Sequence, residues 1–377
     1  RDKEITDYVI QKKLKTGYPM IWDVTWAKAN SKQIYEIAQA DKKANTNLFK
    51  GITFAMQSLN KDTQKAARRT NLKSDEALAY MKLYDAENIP TYSELIWPLP
   101  NETYESLKEN IQLLVDMGQK SFLMVHPLVL TYNAEMGAKD YQDLYQMKWN
   151  EVPLDTYYLN VDDLENYIVE KTMAVYETST ADRIQAIRGH LFSYLFILMY
   201  YYGWAHYVME YMHNKYQVKH IDFIESMFNY FIAKNSLIGR EIRETEKTMI
   251  DVYHGHRFWG RQVFDNDIFW EYKGASSIVF HNRRDKLAKE IKEFCNIVYD
   301  VKITNVVKFN MDMCFDNATT YPIKRTYTTD TIKHCTGLDK KTITISHRSK
   351  EQFTDNEFYH TTYHYQRKNR YWKCDII

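Results

Sequence analysis

The stretch that decides the fold runs from Gly51 to Thr103 and contains three short segments. They read Gly51-Ile-Thr-Phe-Ala-Met-Gln-Ser58, Ala66-Ala-Arg-Arg69 and Glu94-Leu-Ile-Trp-Pro-Leu-Pro-Asn-Glu-Thr103. The first and third are apolar runs that end in polar residues, as buried strands do, and the second lies in a helical pattern. Strand, helix and strand predict a βαβ unit with polar side chains at the carboxyl ends of its strands, where α/β barrels place their chemistry.

The same alternation of helix and strand extends over residues 1–130. Apolar spacing, caps and a glycine stop predict helices at 2–15, 31–43, 62–69, 74–87 and 103–117, and strands at 20–26, 49–56, 91–97 and 121–126. Strands that alternate with helices form a parallel sheet with right-handed crossovers. We therefore expect an α/β fold that begins with a partial, TIM-like (β/α) barrel, because four strands are too few to close one.

The rest of the chain changes its pattern twice. After an irregular polar connection at 151–180, two or three helices are expected in 181–250 and another at 285–299. From about residue 302 the period becomes two, which predicts strands at 306–311, 341–345 and 359–365. The expected organisation is a barrel part at 1–150, a mostly helical region at 151–300 and a small antiparallel β-rich region at 301–377.

Charge and hydropathy exclude some classes of partner. The chain has 50 basic and 49 acidic residues in 377, so no global field attracts nucleic acid or an anionic membrane. The 31 tyrosines indicate either a tyrosine-rich core or a stacking surface for a flat ligand. Residues 191–209 lack Asp, Glu, Lys and Arg, yet their Tyr, His and Ser side chains favour a buried helix over a membrane span.

The cysteines and the first residue bear on compartment and completeness. The four cysteines all lie in the last quarter of the chain and lack metal-ligand spacing, which indicates reduced thiols in a cytoplasmic protein rather than a disulfide framework. They are Cys295, Cys314, Cys335 and Cys374. The chain starts with Arg1 inside a helical pattern, so we expect a piece of a longer protein.

In order and spacing, the three opening segments resemble the radical S-adenosylmethionine (SAM) enzymes, and the resemblance covers roughly residues 1–150. Those enzymes have a strand that ends in Gln-Ser, an Arg in the next helix, and a strand that ends in Gly-Leu-Pro-Gly-Glu-Thr. The resemblance implies that Gln57 and Ser58 face the ribose and methionine parts of SAM, and that Arg69 reaches its carboxylate. The full set implied to bind SAM is Gln57, Ser58, Arg69, Ile96, Leu99 and Glu102.

Two positions depart from the family's third segment. Both of its glycines are replaced, by Pro98 and Asn101. Glycine lets the backbone approach adenine closely, and Pro98 removes a backbone N–H that could have met the ligand. Asn101 is the milder change, because asparagine tolerates a left-handed backbone. Thr103 is expected to cap the following helix.

A later segment resembles the cobalamin-dependent branch of the family. It comprises Asn133-Ala-Glu-Met136 and, further on, Asp140-Tyr141. In that branch the resemblance implies cobalamin as a second cofactor and methyl transfer as the outcome. Asn133 or Glu135 could touch the substrate, or these two residues could only shape a loop.

The family's cluster-binding motif, Cys-x3-Cys-x2-Cys, is absent from this chain. A [4Fe–4S] cluster of this type needs three thiolates on one loop. We therefore expect no metal ligands and no catalytic residue in the chain itself, with the cluster-binding part before Arg1. The parent enzyme would take electrons from a flavodoxin or ferredoxin and cleave SAM to a 5′-deoxyadenosyl radical. It would then act, by C-methylation or a related radical transformation, on a small molecule or peptide, with no nucleic acid or membrane partner.

Other functional classes stay open on the sequence alone. A degenerate, non-catalytic barrel that binds a small molecule or partner is favoured by Pro98 and Asn101. A hydrolase could use carboxylates at the barrel mouth, with Glu94, Glu102 and Glu135 as the candidates. Weaker patterns are a metal site at His254, His256, His360 and His364, and RNA binding by the basic and aromatic stretch at 359–372.

Overall fold

The structure is a computed structural model that describes residues 1–20, 22, 24, 26, 31–49, 51–68, 74–119, 122–153, 171–255, 260–263, 270–316, 319–347 and 374–377. The chain forms two compact units, Arg1–His126 and Pro127–Ile377. Three regions with borders at 150 and 300 remain a prediction from the sequence. Each of the two units is considered by itself below.

The first unit is a mixed α/β structure around a three-stranded parallel sheet of order β1-β2-β3. Its elements are α1 (Asp2–Thr16), α2 (Ser31–Ala44), β1 (Ile52–Gln57), α3 (Lys61–Ala66), α4 (Ser74–Ala86), β2 (Thr91–Trp97), α5 (Tyr104–Asp116) and β3 (Leu123–Pro127). Four predicted helices and one predicted strand are confirmed, and each of their ends lies within one residue of the predicted position. They are the helices predicted at 2–15, 31–43, 74–87 and 103–117 and the strand predicted at 91–97. The partial barrel stays a prediction, since three paired strands do not define one.

The two faces of this sheet differ in burial. Along each strand, buried residues alternate with half-buried ones. Helix α4 covers the buried face, where the ring of Tyr84 meets the ring of Phe54 edge to face at 6.0 Å between centroids. The other face carries the half-buried residues and is the more open one; they are Thr53, Ala55, Tyr92, Glu94, Ile96, Met124 and His126.

Helix α5 shows how local sequence sets an element. Thr103 is its N-cap, and Thr103 and Ser106 exchange hydrogen bonds in a capping box. The predicted apolar stripe of Leu107, Ile111 and Leu114 is fully buried. Gly118 follows the helix with a positive φ of 86°, a left-handed conformation that glycine adopts freely.

Some boundaries in the first unit differ from the prediction. The strand expected at 49–56 begins at Ile52, and the helix expected at 62–69 ends at Ala66. Of the strand expected at 20–26, alternate residues are described, and none of those belongs to a strand. The backbone N–H of Trp22 donates to the carbonyl of Leu48 at 2.8 Å.

The second unit is mainly helical. Its helices are α6 (Lys139–Leu144), α7 (Arg183–Phe196), α8 (His206–Tyr216), α9 (His220–Phe231), α10 (Leu237–Tyr253), α11 (Tyr272–Asn282), α12 (Arg284–Tyr299), α13 (Thr304–Asp312) and α14 (Thr329–Thr336), with a π-helical stretch at Ile197–Tyr201 and a 3-10 turn at Glu135–Gly137. The helix expected at 285–299 is confirmed. Residues 181–250 contain four helices, where two or three were expected.

Small antiparallel sheets complete the second unit. Their strands are β4 (Val129–Leu130), β5 (Lys148–Pro153), β6 (Lys171–Glu177), β7 (Gly260–Arg261), β8 (Trp270–Glu271), β9 (Ile323–Thr326), β10 (Thr342–Ser346) and β11 (Asp375–Ile376). They pair in the orders β4-β6-β5, β7-β8 and β11-β10-β9. The irregular connection expected at 151–180 is wrong where it is described, because β5 and β6 pair in register there.

The C-terminal β pattern is correct in one place and wrong in another. The strand expected at 341–345 is confirmed as β10, and the segment 359–365 lies outside the described residues. The strand expected at 306–311 is wrong, because this segment is helix α13. Its buried residues Val306, Val307 and Asn310 follow helical spacing.

The uncharged stretch at 191–209 is confirmed as a buried part of the second unit, running through α7 and the π-helical residues into α8. Its polar tips have partners inside the protein. The hydroxyl of Tyr194 donates to Ser276 at 2.7 Å, and the indole N–H of Trp204 donates to Ser277 at 3.1 Å. Among the described residues, no helix has both the length and the apolar character that crossing a bilayer requires.

Candidate functional site

The site begins at the carboxyl end of β1. The ladder between β1 and β2 shifts after Ala55, so that Gln57 pairs with Leu95, and Gln57 has a left-handed φ of 60°. Ser58 follows in a tight turn, with its N–H 2.7 Å from the carbonyl oxygen of Met56. Asn60 then caps α3 by accepting from two backbone N–H groups of its first turn.

The second part is the segment after β2. The Trp97–Pro98 peptide bond is cis, and Leu99 and Glu102 are buried at 1% and 0% exposure. The N–H of Glu102 donates to the carbonyl of Leu99 at 3.1 Å, which closes a turn through Asn101. Asn101 has a φ of 63°, a left-handed conformation that asparagine tolerates.

A buried hydrogen-bonded cluster joins these two parts. The hydroxyl of Ser58 donates to Oε1 of Glu102 at 2.9 Å. Asn110, on α5, donates through Nδ2 to the same carboxylate oxygen at 2.6 Å and to Ser58 Oγ at 3.1 Å. We call these three residues the Ser58–Glu102–Asn110 cluster. Because the cluster spans three elements, it fixes the spacing between the ends of β1 and β2.

Burial decides the protonation of this cluster. Loss of water around Glu102 raises the pKa of its carboxyl group to about 8, against the smaller opposing effect of the hydrogen bonds from Ser58 and Asn110. Glu102 is therefore mostly a neutral acid at pH 7. A neutral carboxyl group can donate a proton in a hydrogen bond as well as accept one.

The open face of the sheet carries a second polar group. Nε2 of His126, on β3, lies 3.7 Å from Oε1 of Glu94 on β2, and both side chains are partly exposed. Ile96 is half-buried on the same strand, two residues beyond Glu94. Gln57 is also half-buried, and its side chain makes no hydrogen bond to any described residue. A polar amide beside an apolar strand end suits a nucleoside, so these residues fit SAM.

The remaining predicted positions lie elsewhere. Arg69 falls outside the described residues, while its neighbour Arg68 is exposed with a left-handed φ of 48°. Asn133 and Glu135 belong to the second unit, where both are exposed in and before the 3-10 turn. The structure thus brings Ser58 and Glu102 into contact and pairs Gln57 with Leu95, the residue before Ile96.

Sequence reasoning missed Asn110. Its position on α5 is not distinguished by any local motif, because its role depends on contacts with residues 52 and 8 positions away. A polar residue on the buried side of an amphipathic helix is the one pattern that could have marked it. Asn110 is 5% exposed, although helix positions at that depth usually hold apolar residues.

The cysteines do not fit an iron–sulfur cluster. All four are free and buried, and they lie on or next to different elements of the second unit. Burial raises the pKa values of the Cys295 and Cys335 thiols above the usual range, which disfavours the thiolate that a metal needs. In the described part of the chain, no three His, Cys, Asp or Glu side chains gather as metal ligands.

The weaker alternatives find little support where they are described. His254 Nε2 lies 2.8 Å from a guanidinium nitrogen of Arg183. His256, His360 and His364, and the basic and aromatic stretch at 359–372, lie outside the described residues. Of the three carboxylates considered for hydrolysis, Glu102 is buried in the cluster, Glu94 faces His126, and Glu135 is exposed in the second unit.

Two known proteins are similar to parts of this chain. One is the cobalamin-dependent radical SAM methyltransferase TokK of Streptomyces tokunonensis, which is 31% identical over 148 residues, 39% of this chain and 21% of the relative. The other is the 2-(S-pantetheinyl)-carbapenam-3-carboxylate methyltransferase of Streptantibioticus cattleyicolor. It is 25% identical over 234 residues, 62% of this chain and 34% of the relative. No protein-family model matches the chain.

The extent of these similarities limits what they establish. The chain spans about a fifth and about a third of the lengths of the two curated relatives. Both relatives are named as methyltransferases, and one is named as a cobalamin-dependent radical SAM enzyme. Membership of that superfamily, and an enzymatic methylation function, are therefore suggested at the level of distant relatives.

Proposed function

We propose that the first unit forms the SAM-facing side of a radical SAM enzyme of the cobalamin-dependent type, and that this enzyme methylates a small molecule. The supporting observation is the Ser58–Glu102–Asn110 cluster. It joins the end of β1 to the segment after β2, the two segments that resemble SAM-binding parts of the family. The names of the two relatives support the same reaction class.

Each residue has a physical role in this proposal. Gln57 offers an amide donor and acceptor at the polar edge of SAM, and Ile96 and Leu99 form the apolar wall against its base. Arg69 pairs with the carboxylate through two parallel hydrogen bonds, which a planar guanidinium suits. SAM, a [4Fe–4S] cluster and cobalamin supply the radical and methyl-transfer chemistry when bound, and the cluster requires cysteines other than the four in this chain.

The substrate and the electron donor follow from the same reasoning. One relative is named for a small carbapenam carboxylate, so we propose a small-molecule methyl acceptor, with a peptide as the alternative. The reductant is a flavodoxin or ferredoxin.

Direct measurement of SAM binding tests the proposal. Ligand-observed NMR with SAM at up to millimolar concentration should detect binding to the wild-type chain, and Gln57→Ala should weaken it. The matched control is Gln11→Ala, an exposed glutamine on α1 of the same unit, which should leave binding unchanged. Absence of SAM binding to the wild-type chain would contradict the proposal.

A second candidate is a degenerate barrel that binds a small molecule or partner without catalysis. The observation in its favour is the pair of glycine replacements, Pro98 and Asn101, since Pro98 is buried and offers no backbone N–H. An experiment distinguishes the two candidate functions: the longest natural form of the protein is reconstituted with iron and sulfide under anaerobic conditions and then given SAM. Formation of 5′-deoxyadenosine from SAM supports the enzyme, whereas SAM binding without turnover by an intact cluster supports the binding protein.

A further inference from the structure

The hydroxyl group of Ser58 is fully used inside the protein. A serine hydroxyl has one hydrogen to donate and two lone pairs to accept with. The hydrogen goes to Oε1 of Glu102 at 2.9 Å. The lone pairs accept from the backbone N–H of Asn60 at 3.1 Å and from Nδ2 of Asn110 at 3.1 Å. With Ser58 only 1% exposed, no capacity is left for a ligand.

Asn110 binds both partners from the helix side. Its Nδ2 donates to Oε1 of Glu102 at 2.6 Å and to Oγ of Ser58 at 3.1 Å, so one amide nitrogen contacts both of the other cluster residues. Asn110 is 5% exposed, so it holds Ser58 and Glu102 together inside the protein and does not present a surface for a ligand.

Gln57 has the opposite character. It is half-buried at the end of β1, and its side-chain amide makes no hydrogen bond to any described residue. Its left-handed φ of 60° sets it apart from the strand before it. An amide with unused donors and acceptor at the carboxyl end of a strand is a group that a ligand can engage.

We propose that the adjacent pair Gln57 and Ser58 divides its roles: Gln57 contacts SAM, while Ser58 serves only the internal cluster. Asn110 is then a positioning residue that acts through Ser58 and Glu102 to hold the turn after β1 against the segment after β2. This assignment rests on the proposed function. It differs from what the family resemblance implies, which is that Gln57 and Ser58 both face SAM.

The test compares stability with SAM affinity in Gln57→Ala and Ser58→Ala. Gln57→Ala should weaken SAM binding about tenfold, the loss of a good hydrogen bond, with the Tm unchanged. Ser58→Ala should lower the Tm by roughly 3–8 °C and speed hydrogen exchange at the amide of Asn60, while SAM affinity changes less than about threefold. A tenfold affinity loss in Ser58→Ala at unchanged Tm would overturn the assignment.

Asn110→Asp gives a second, independent readout. It replaces the donor amide with a carboxyl group beside Glu102, and two carboxyl groups at this distance cannot both ionise without strong repulsion. The Tm of this variant should approach the wild-type value near pH 5 and fall well below it near pH 8. A Tm difference that is the same at both pH values would overturn the positioning role of Asn110.

The double variant Ser58→Ala with Asn110→Asp separates failure of the cluster from failure of the proposed function. The Tm losses of the two single changes should not add, because both remove the same set of hydrogen bonds. Additive Tm losses would show that Ser58 and Asn110 do not share one hydrogen-bond network, and would leave the proposed SAM binding untouched. If the wild-type chain binds no SAM, the Gln57 assignment falls together with the proposed function, while the Tm and exchange results still decide the cluster.

Discussion

Ser58 donates its hydroxyl hydrogen to Oε1 of Glu102 across 2.9 Å, and the carboxyl group that accepts it has no exposed surface. The turn after one strand and the segment after the next are thus connected through an acid that is shielded from water. The hydrogen bonds from Ser58 and Asn110 favour the ionised carboxylate, but the loss of water around it costs more, so ionisation of Glu102 destabilises the folded state. The cluster is therefore a source of pH-dependent stability.

The first prediction concerns Glu102 and pH. Burial raises its pKa to about 8 in the folded chain, from 4.5 for an ordinary glutamic acid. The folded state keeps a proton that the unfolded state loses, so this stabilisation is complete below pH 4.5 and is lost as the pH rises through 8. Glu102→Gln should remove this dependence, which amounts to about 1.4 kcal/mol per pH unit at most.

Urea unfolding at pH 5, 7 and 9 measures the effect. The free energy of unfolding of the wild type should fall relative to Glu102→Gln as the pH increases. The comparison with the glutamine variant cancels other titrating groups that both proteins share. Parallel pH profiles for the two proteins would contradict the prediction.

The second prediction concerns Asn101. Its φ of 63° costs most side chains about 1–2 kcal/mol, and least for glycine and asparagine. Asn101→Gly should therefore keep the stability of the wild type, whereas Asn101→Val should lose roughly that amount or more. Asn296→Val, at an exposed site on α12, is the matched control for the loss of asparagine and should cost little. Equal losses at the two sites would argue against backbone strain as the cause.

The third prediction concerns a buried ion pair in the second unit. Nζ of Lys273 lies 2.5 Å from Oε1 of Glu271, and both side chains are largely buried. Burial opposes the charge on Lys273, but Glu271 beside it raises the pKa of the ammonium group well above its usual range. Lys273→Met should cost about 3–5 kcal/mol, because it leaves a carboxylate buried without its cation.

The matched experiment is the double change Lys273→Met with Glu271→Leu. Removing both charges should recover most of the lost free energy of unfolding in urea, since apolar replacements of a buried pair are often neutral. A double variant that loses the sum of the two single losses would show that each side chain stabilises the fold separately.

Local signals in the sequence predicted much of the first unit. Thr103 and Ser106 cap α5, and its apolar stripe lies three or four residues apart, so the helix is specified within its own segment. The strand β2 is a run bounded by turns and follows directly from its pattern. Such elements are predictable because the residues that determine them are adjacent in the sequence.

Helix α13 shows why other parts were not predictable. The run Val306-Val-Lys-Phe-Asn-Met311 alternates well enough to suggest a strand. In the fold, Asn310 donates through Nδ2 to the carbonyls of Gly203 and Trp204, at 3.1 and 2.9 Å, about a hundred residues away. A buried amide in this role is a tertiary contact, and it overrides the local preference of short ambiguous runs.

Part of the candidate site could likewise be predicted from the sequence, and part of it could not. The carboxyl ends of β1 and β2, with Gln57, Ser58 and Glu102, could be located from sequence because parallel strands place their ends together. The sequence could not predict the direction of the Ser58 hydroxyl or the role of Asn110. Both depend on contacts with helix α5, which lies about fifty residues after Ser58 in the sequence.

The last prediction concerns acid stability and His190. This side chain is 3% exposed, and burial, followed by the positive charge of Lys273, lowers its pKa from 6.5 to about 3. His190 is therefore neutral in the folded state over a pH range in which it binds a proton in the unfolded state. The stability that this contributes is complete above pH 6.5 and is lost as the pH falls toward 3, by up to about 1.4 kcal/mol per pH unit. His190→Gln should flatten this part of the pH profile of urea unfolding.

A further variant links the effect to its cause. Lys273→Met removes the nearby cation, so the pKa of His190 should rise and the acid slope should become shallower than in the wild type. If His190→Gln and the wild type lose stability in parallel between pH 6.5 and 4, another group governs the acid response.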